Sequence, residues 1–136
     1  MADGYDRFEN EGGGGGSFVM NVSVDVWLRG SDVATTEQID ATIRPPLEWT
    51  EDDVRAVLEG MLRAMDRRKR PGEADREIAL RGLSWIVDPY KNGGVLIAIE
   101  ITMGAAVSGP FDIDQKALES MIARVLSAAG GATTVH

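Results

Sequence analysis

Apolar and polar residues alternate most strictly over residues 18–29. Phe18, Met20, Val22, Val24, Val26 and Leu28 fall on one parity, and Val19, Asn21, Ser23, Asp25, Trp27 and Arg29 on the other. A period of two turns one set towards a core and the other towards a wetter surface, which is the mark of a half-buried strand. Gly30-Ser31-Asp32 reads as a turn. Residues 33–44 alternate more weakly, with Ile39, Ala41 and Ile43 on one side. Their threonines suit a strand and Glu37-Gln38 suits a helix, so both readings stand; a hairpin is the simplest join.

The period then changes. Pro45-Pro46 stops the strand, and Thr50 followed by Glu51, Asp52 and Asp53 marks a helix start, with a capping hydroxyl and three acids at the positive end of the helix dipole. Val54, Val57, Leu58, Met61, Leu62 and Met65 recur at helical spacing until Pro71-Gly72 ends the pattern. Ile78 and Leu80 share one parity, whereas Leu83, Trp85 and Val87 share the other. The switch at Gly82 predicts a β-bulge, whose register sets Arg81 opposite Glu100. After a turn over residues 88–94, Val95, Ile97, Ile99, Ile101 and Met103 alternate strictly. Residues 104–110 are small and read as a loop, Asp112 and Gln115 suggest a capping box, and Leu118, Met121, Ile122, Val125 and Leu126 form a second helical stripe.

The expected fold is therefore α+β, in the order ββαββα: a four-stranded antiparallel sheet with both helices on one face. Setting Pro46 against Pro110 aligns the two helical stripes and suggests an internal pseudo-repeat. The expected core is Val22, Val24, Val26, Ile39, Ile43, Leu83, Trp85, Ile97, Ile99 and Ile101 with the helix stripes. The expected open face carries Asn21, Ser23, Asp25, Trp27, Arg29, Asp40, Thr42, Arg44, Arg81, Ser84, Ala98, Glu100 and Thr102. Residues 1–17, acidic and holding five consecutive glycines, read as a disordered leader; 18–129 read as one domain and 130–136 as a flexible tail.

Composition narrows the chemistry. The 136 residues are 43% hydrophobic and 26% charged, enough apolar material for one core. There is no cysteine, which excludes disulfides and thiolate chemistry, and the single histidine is His136. The net charge of −8 opposes binding to polyanions. No apolar run reaches the ~18 residues of a membrane span, and the N-terminal residues lack the order of a signal peptide, so a cytoplasmic location is the default expectation.

No motif points to catalysis. Trp27 on the polar parity is the most informative side chain, because a large aromatic beside charged residues is characteristic of binding hot spots. The leading expectation is a non-enzymatic interaction or assembly module, self-associating or binding another protein, through Trp27, Asp25, Arg29, Arg44 and Glu100. The alternative is a small-molecule binder or metal-independent enzyme using the carboxylates Asp25, Asp40 and Glu100. Arg67, Arg68, Lys69 and Arg70 form the one basic cluster, a candidate for anion or nucleic-acid contact that helix-dipole complementation also explains. No cofactor or metal is expected; Glu51, Asp52 and Asp53 are consecutive on a helix start and point in different directions.

Overall fold

The computed structural model describes residues 20–42, 44–129 and 134–135. The expected leader over 1–17, Phe18 and Val19 of the first strand, Ile43 of the expected core, and residues 130–133 and 136 of the expected tail lie outside the described residues. Strands β1 (Met20–Leu28) and β2 (Thr35–Thr42) form the first hairpin, which settles residues 35–42 as strand. Helix α1 (Glu51–Lys69) follows a short turn of 3-10 helix at Pro46–Glu48. Strands β3 (Ser84–Pro89), β4 (Val95–Ile101) and β5 (Gly104–Phe111) come next, then helix α2 (Gln115–Ala128) and a two-residue strand β6 (Thr134–Val135).

The fold is α+β with two helices and an antiparallel sheet, but the sheet has five antiparallel strands rather than four, and β6 adds a short parallel pairing on β3. The strand order is β2-β1-β5-β4-β3-β6. The additional strand, β5, is the stretch expected to be a small-residue loop, and it lies between the two hairpins, antiparallel to both β1 and β4. Its glycines explain the fit. A Cβ on Gly104 would lie 2.2 Å from the Trp27 carbonyl oxygen, and Gly109, at φ +119°, would bring one to 2.7 Å from the Val95 carbonyl oxygen. Only glycine lets the backbones approach this closely. The pseudo-repeat is not supported: β5 has no counterpart in the first half, and the alignment of Pro46 with Pro110 sets the start of a 3-10 turn against the end of strand β5.

The bulge expected at Gly82 does not form. Residues 76–83 approach the sheet without strand pairing, β3 begins at Ser84, and Ser84 rather than Arg81 faces Glu100. The helix start over 112–115 also differs. Asp114, not Asp112, caps α2 by accepting a bond from the Ala117 N–H (3.0 Å), and Gln115 is freed to donate to the Val87 carbonyl (3.0 Å). That bond, β6 and the missing N–H of Pro89 together occupy the outer edge of β3.

The core lies between one sheet face and the helices. Val22, Val24, Val26, Ile39, Leu83, Trp85, Ile97 and Ile99 are buried as expected, while Ile101 is only partly covered. The α1 stripe is buried throughout, and in α2 Met121 alone of the expected stripe is half-buried. Small residues on β5 give the helices room: Ala106 is fully buried, and Ser108 is buried with its hydroxyl donating to the Ser23 carbonyl (3.0 Å). Trp49, also buried, closes one end by stacking at a tilt on Phe111, with ring centroids 4.9 Å apart, and by donating its indole N–H to the Arg44 carbonyl (2.9 Å).

Candidate functional site

The face of the sheet away from the helices is uncovered among the described residues, and the strand registers define its layout. One row across the sheet runs Trp27, Ala105, Glu100, Ser84. The next runs Thr36, Asp25, Val107, Ala98, Ile86. At the far side Leu96 faces Asp88. At the centre of this face the two middle strands carry Ala98, Ala105 and Val107, with Glu100 beside Ala105 and Leu96 at the far side, and the larger Trp27 and Ile86 stand one row apart on the strands to either side. Both are 38% exposed. Beside Ile86 lies a shallow depression of about 440 Å³, lined by Ser84, Ile86, Ala98, Glu100, Ala105 and Val107.

Polar groups surround this floor. Thr36 donates to Asp25 Oδ1 (2.7 Å), and Gln38 donates to the Ser23 hydroxyl (2.8 Å) on the β1–β2 side. Arg29 donates through Nε to the Thr102 carbonyl (2.8 Å), and its Nη2 lies 3.8 Å from Glu100. Both members of that pair are about two-thirds exposed, so its stabilisation is at most ~1 kcal/mol.

Four of the five residues expected to form the partner-binding group, Asp25, Trp27, Arg29 and Glu100, do share this face. Arg44 does not join them. Its guanidinium lies 3.7 Å from the buried carboxylate of Asp53 in the first turn of α1, and Asp53 also accepts bonds from the Thr50 N–H (2.8 Å) and hydroxyl (3.1 Å). Arg44 therefore belongs to the helix start, because β2 ends at Thr42, before it. Arg81 likewise lies on the unpaired approach to β3. The side chains of Asn21, Asp40 and Thr42 fall outside the described ones.

Sequence reasoning missed Leu96, Ile86, Ala105 and Val107. Ile86 and Leu96 were legible, since each sits between two core residues of its own strand. Ala105 and Val107 required β5 to be seen as a strand, and its alternation between glycine, alanine, serine and valine carries almost no hydrophobic contrast.

No match to the chain was found among protein-family models, curated proteins or solved structures. The carboxylates Asp25 and Glu100 are separated by two strand spacings and two residues of stagger, which places their backbones about 12 Å apart. They do not form a close acid–base pair.

The basic cluster is divided among separate tasks. Arg67 holds Asp75 in a two-pronged contact (2.9 and 2.7 Å), and Arg63 lies 3.9 Å from the same carboxylate. Arg70 (3.2 Å) and Arg76 (2.6 Å) both bond the buried Asp66 Oδ1. Hydrogen bonding from Arg76, reinforced by the charge of Arg70, holds the Asp66 carboxyl below the usual carboxylate range against the opposing effect of burial. The bond from Arg67 lowers Asp75 in the same direction. These contacts fasten the connection after α1 onto the helix. Among the described residues, Arg68 and Lys69 are left exposed and make no salt bridge, so the four cations do not converge on one point.

Proposed function

We propose that this chain is a non-enzymatic protein-interaction module whose working surface is the uncovered sheet face around Trp27. The observation that carries this reading is the apolar floor of Ala98, Ala105 and Val107 between two half-exposed large side chains, Trp27 and Ile86. A sheet face made only for solvent alternates core residues with polar ones. Here Ala98, Ala105 and Val107 make an apolar patch bordered directly by Glu100 and Asp25, which resembles an interface with an apolar centre and a charged rim.

The test is a selection of binders from a displayed peptide library against the full chain, with Val107→Arg as the counter-target. A dilution series by light scattering tests a second copy as the occupant. Val107 is half-buried on the outer face, so the arginine can extend across the floor while the domain stays folded. Loss of the selected binders, or of self-association, in Val107→Arg is expected. Binders that all survive this substitution, together with a chain that is monomeric at every concentration, would overturn the proposal.

A further inference from the structure

The layout of the face also bears on what occupies it, and this inference rests on the interaction reading above. The apolar floor runs along β4 and β5, with Trp27 on β1 and Ile86 on β3 as its walls. From β1 to β3 is three strand spacings, about 14 Å. An α-helix with its side chains is about 10–12 Å across. The small side chains of Ala98, Ala105 and Val107, with Trp27 and Ile86 set diagonally one row apart on the strands to either side, make a shallow trough of that width, and Glu100 stands on β4 at its border.

The face presents side chains rather than free backbone groups, because β1, β5 and β4 are paired on both edges. An occupant must arrive with its own backbone hydrogen bonds satisfied, which leaves a helix or another sheet. Two copies packed floor on floor would leave a void between the alanines, with Trp27 and Ile86 holding the sheets apart. Charge separates the two further. Among the described side chains of the face, the carboxylates Asp25, Asp88 and Glu100 outnumber the single cation Arg29. A second copy brings the same excess of negative charge, within a chain of net charge −8.

We infer that the trough accepts an amphipathic helix from a partner protein, with an apolar stripe seated on Ala98, Ala105 and Val107 and flanking lysines or arginines directed at Asp25, Asp88 and Glu100. The apolar stripe supplies the contact area, and the basic flanks set orientation and exclude acidic helices.

Two synthetic peptides of about 18 residues test this, both with leucines at the i, i+3, i+4, i+7 spacing, one flanked by lysines and the other by glutamates. Affinity for the full chain is read by fluorescence anisotropy, and the binding position from amide shifts in NMR spectra. The lysine peptide is expected to bind at least about tenfold more tightly than its glutamate twin, to shift Ala98, Ala105 and Val107, and to weaken with added salt. The double variant Asp25→Asn with Glu100→Gln, which keeps the apolar side chains of Ala98, Ala105 and Val107, should remove most of that preference. If the glutamate twin binds this face equally well, or if the face pairs with a second copy and neither peptide competes, the helix assignment falls and the interaction reading survives. If the lysine peptide binds with shifts confined to the helices, or neither peptide engages the face, the helix assignment falls; the interaction reading falls with it only if the selected library binders also survive Val107→Arg and the chain is monomeric at every concentration.

Discussion

On the helix side of the sheet, Val24, Val26, Trp85, Ile97 and Ile99 are almost wholly shielded, whereas their sequence neighbours Asp25, Trp27, Ile86, Ala98 and Glu100 face outward. Both sets lie on the same strands, one residue apart. The inner set is large and branched, and α1 and α2 fill the space above it. The outer set is small at Ala98, large at Trp27 and Ile86 on the strands to either side, and charged at Asp25 and Glu100 along the border of that centre. The first pattern maximises apolar burial within the chain. The second leaves a shallow apolar surface that nothing among the described residues covers, and this difference separates a face that makes the domain stable from one available for binding.

The contrast can be broken most sharply at two adjacent residues. Ile99→Asp places a carboxylate in the helix-covered core without a partner and should abolish cooperative unfolding, costing at least about 4 kcal/mol. Ala98→Asp points outward and should leave a folded domain with a normal thermal transition. A folded Ile99→Asp variant would show that the two faces are assigned the wrong way round.

The two tryptophans give the next largest effect. Trp85→Ala, at a fully buried site, should cost about 3–5 kcal/mol in urea denaturation. Trp27→Ala, on the outer face, should cost about 1 kcal/mol and act instead on binding. Equal losses would mean that Trp27 is a core residue in solution.

Asp66 sharpens the comparison from the other side of the domain, where polar groups serve stability rather than recognition. Its carboxyl is held below the ordinary 3.8. A depressed acid stabilises the fold fully above its unfolded pKa, and that stability is lost as pH falls through the lower folded value. Asp66→Asn should therefore cost about 1–3 kcal/mol at neutral pH and reduce the further loss seen from about pH 4 downward. Part of the acid limb should remain, because Asp75 is lowered as well. An unchanged pH profile would show that the Arg70 and Arg76 contacts do not persist in solution.

Much of this fold is written locally. The period of two in β1, β3 and β4 and the 3.6-residue stripes of α1 and α2 each bury a face, and burial of a large apolar set is strong enough to be legible one element at a time. Proline and glycine at positions 45, 46, 71 and 72 bounded α1 for the same reason, since backbone restriction acts within the residue itself. Asp25, Trp27, Arg29 and Glu100 could be placed on one face because parity alone decides it.

Tertiary structure decided the rest. Nothing local distinguishes Gly104-Ala105-Ala106-Val107-Ser108-Gly109-Pro110 from a loop; it is a strand because β1 and β4 pair with it from both sides, and its small residues are what permit that approach. With β5 in place the two hairpins become one sheet, and the floor of the trough exists. Arg44 left the expected site because a guanidinium reaches whichever carboxylate the packed chain brings near, and packing brought Asp53. Alternation by itself determined which residues turn inward. Only the pairing of strands distant in sequence decided what stands beside Trp27, because neighbours across a sheet are set by hydrogen-bond register and not by order along the chain.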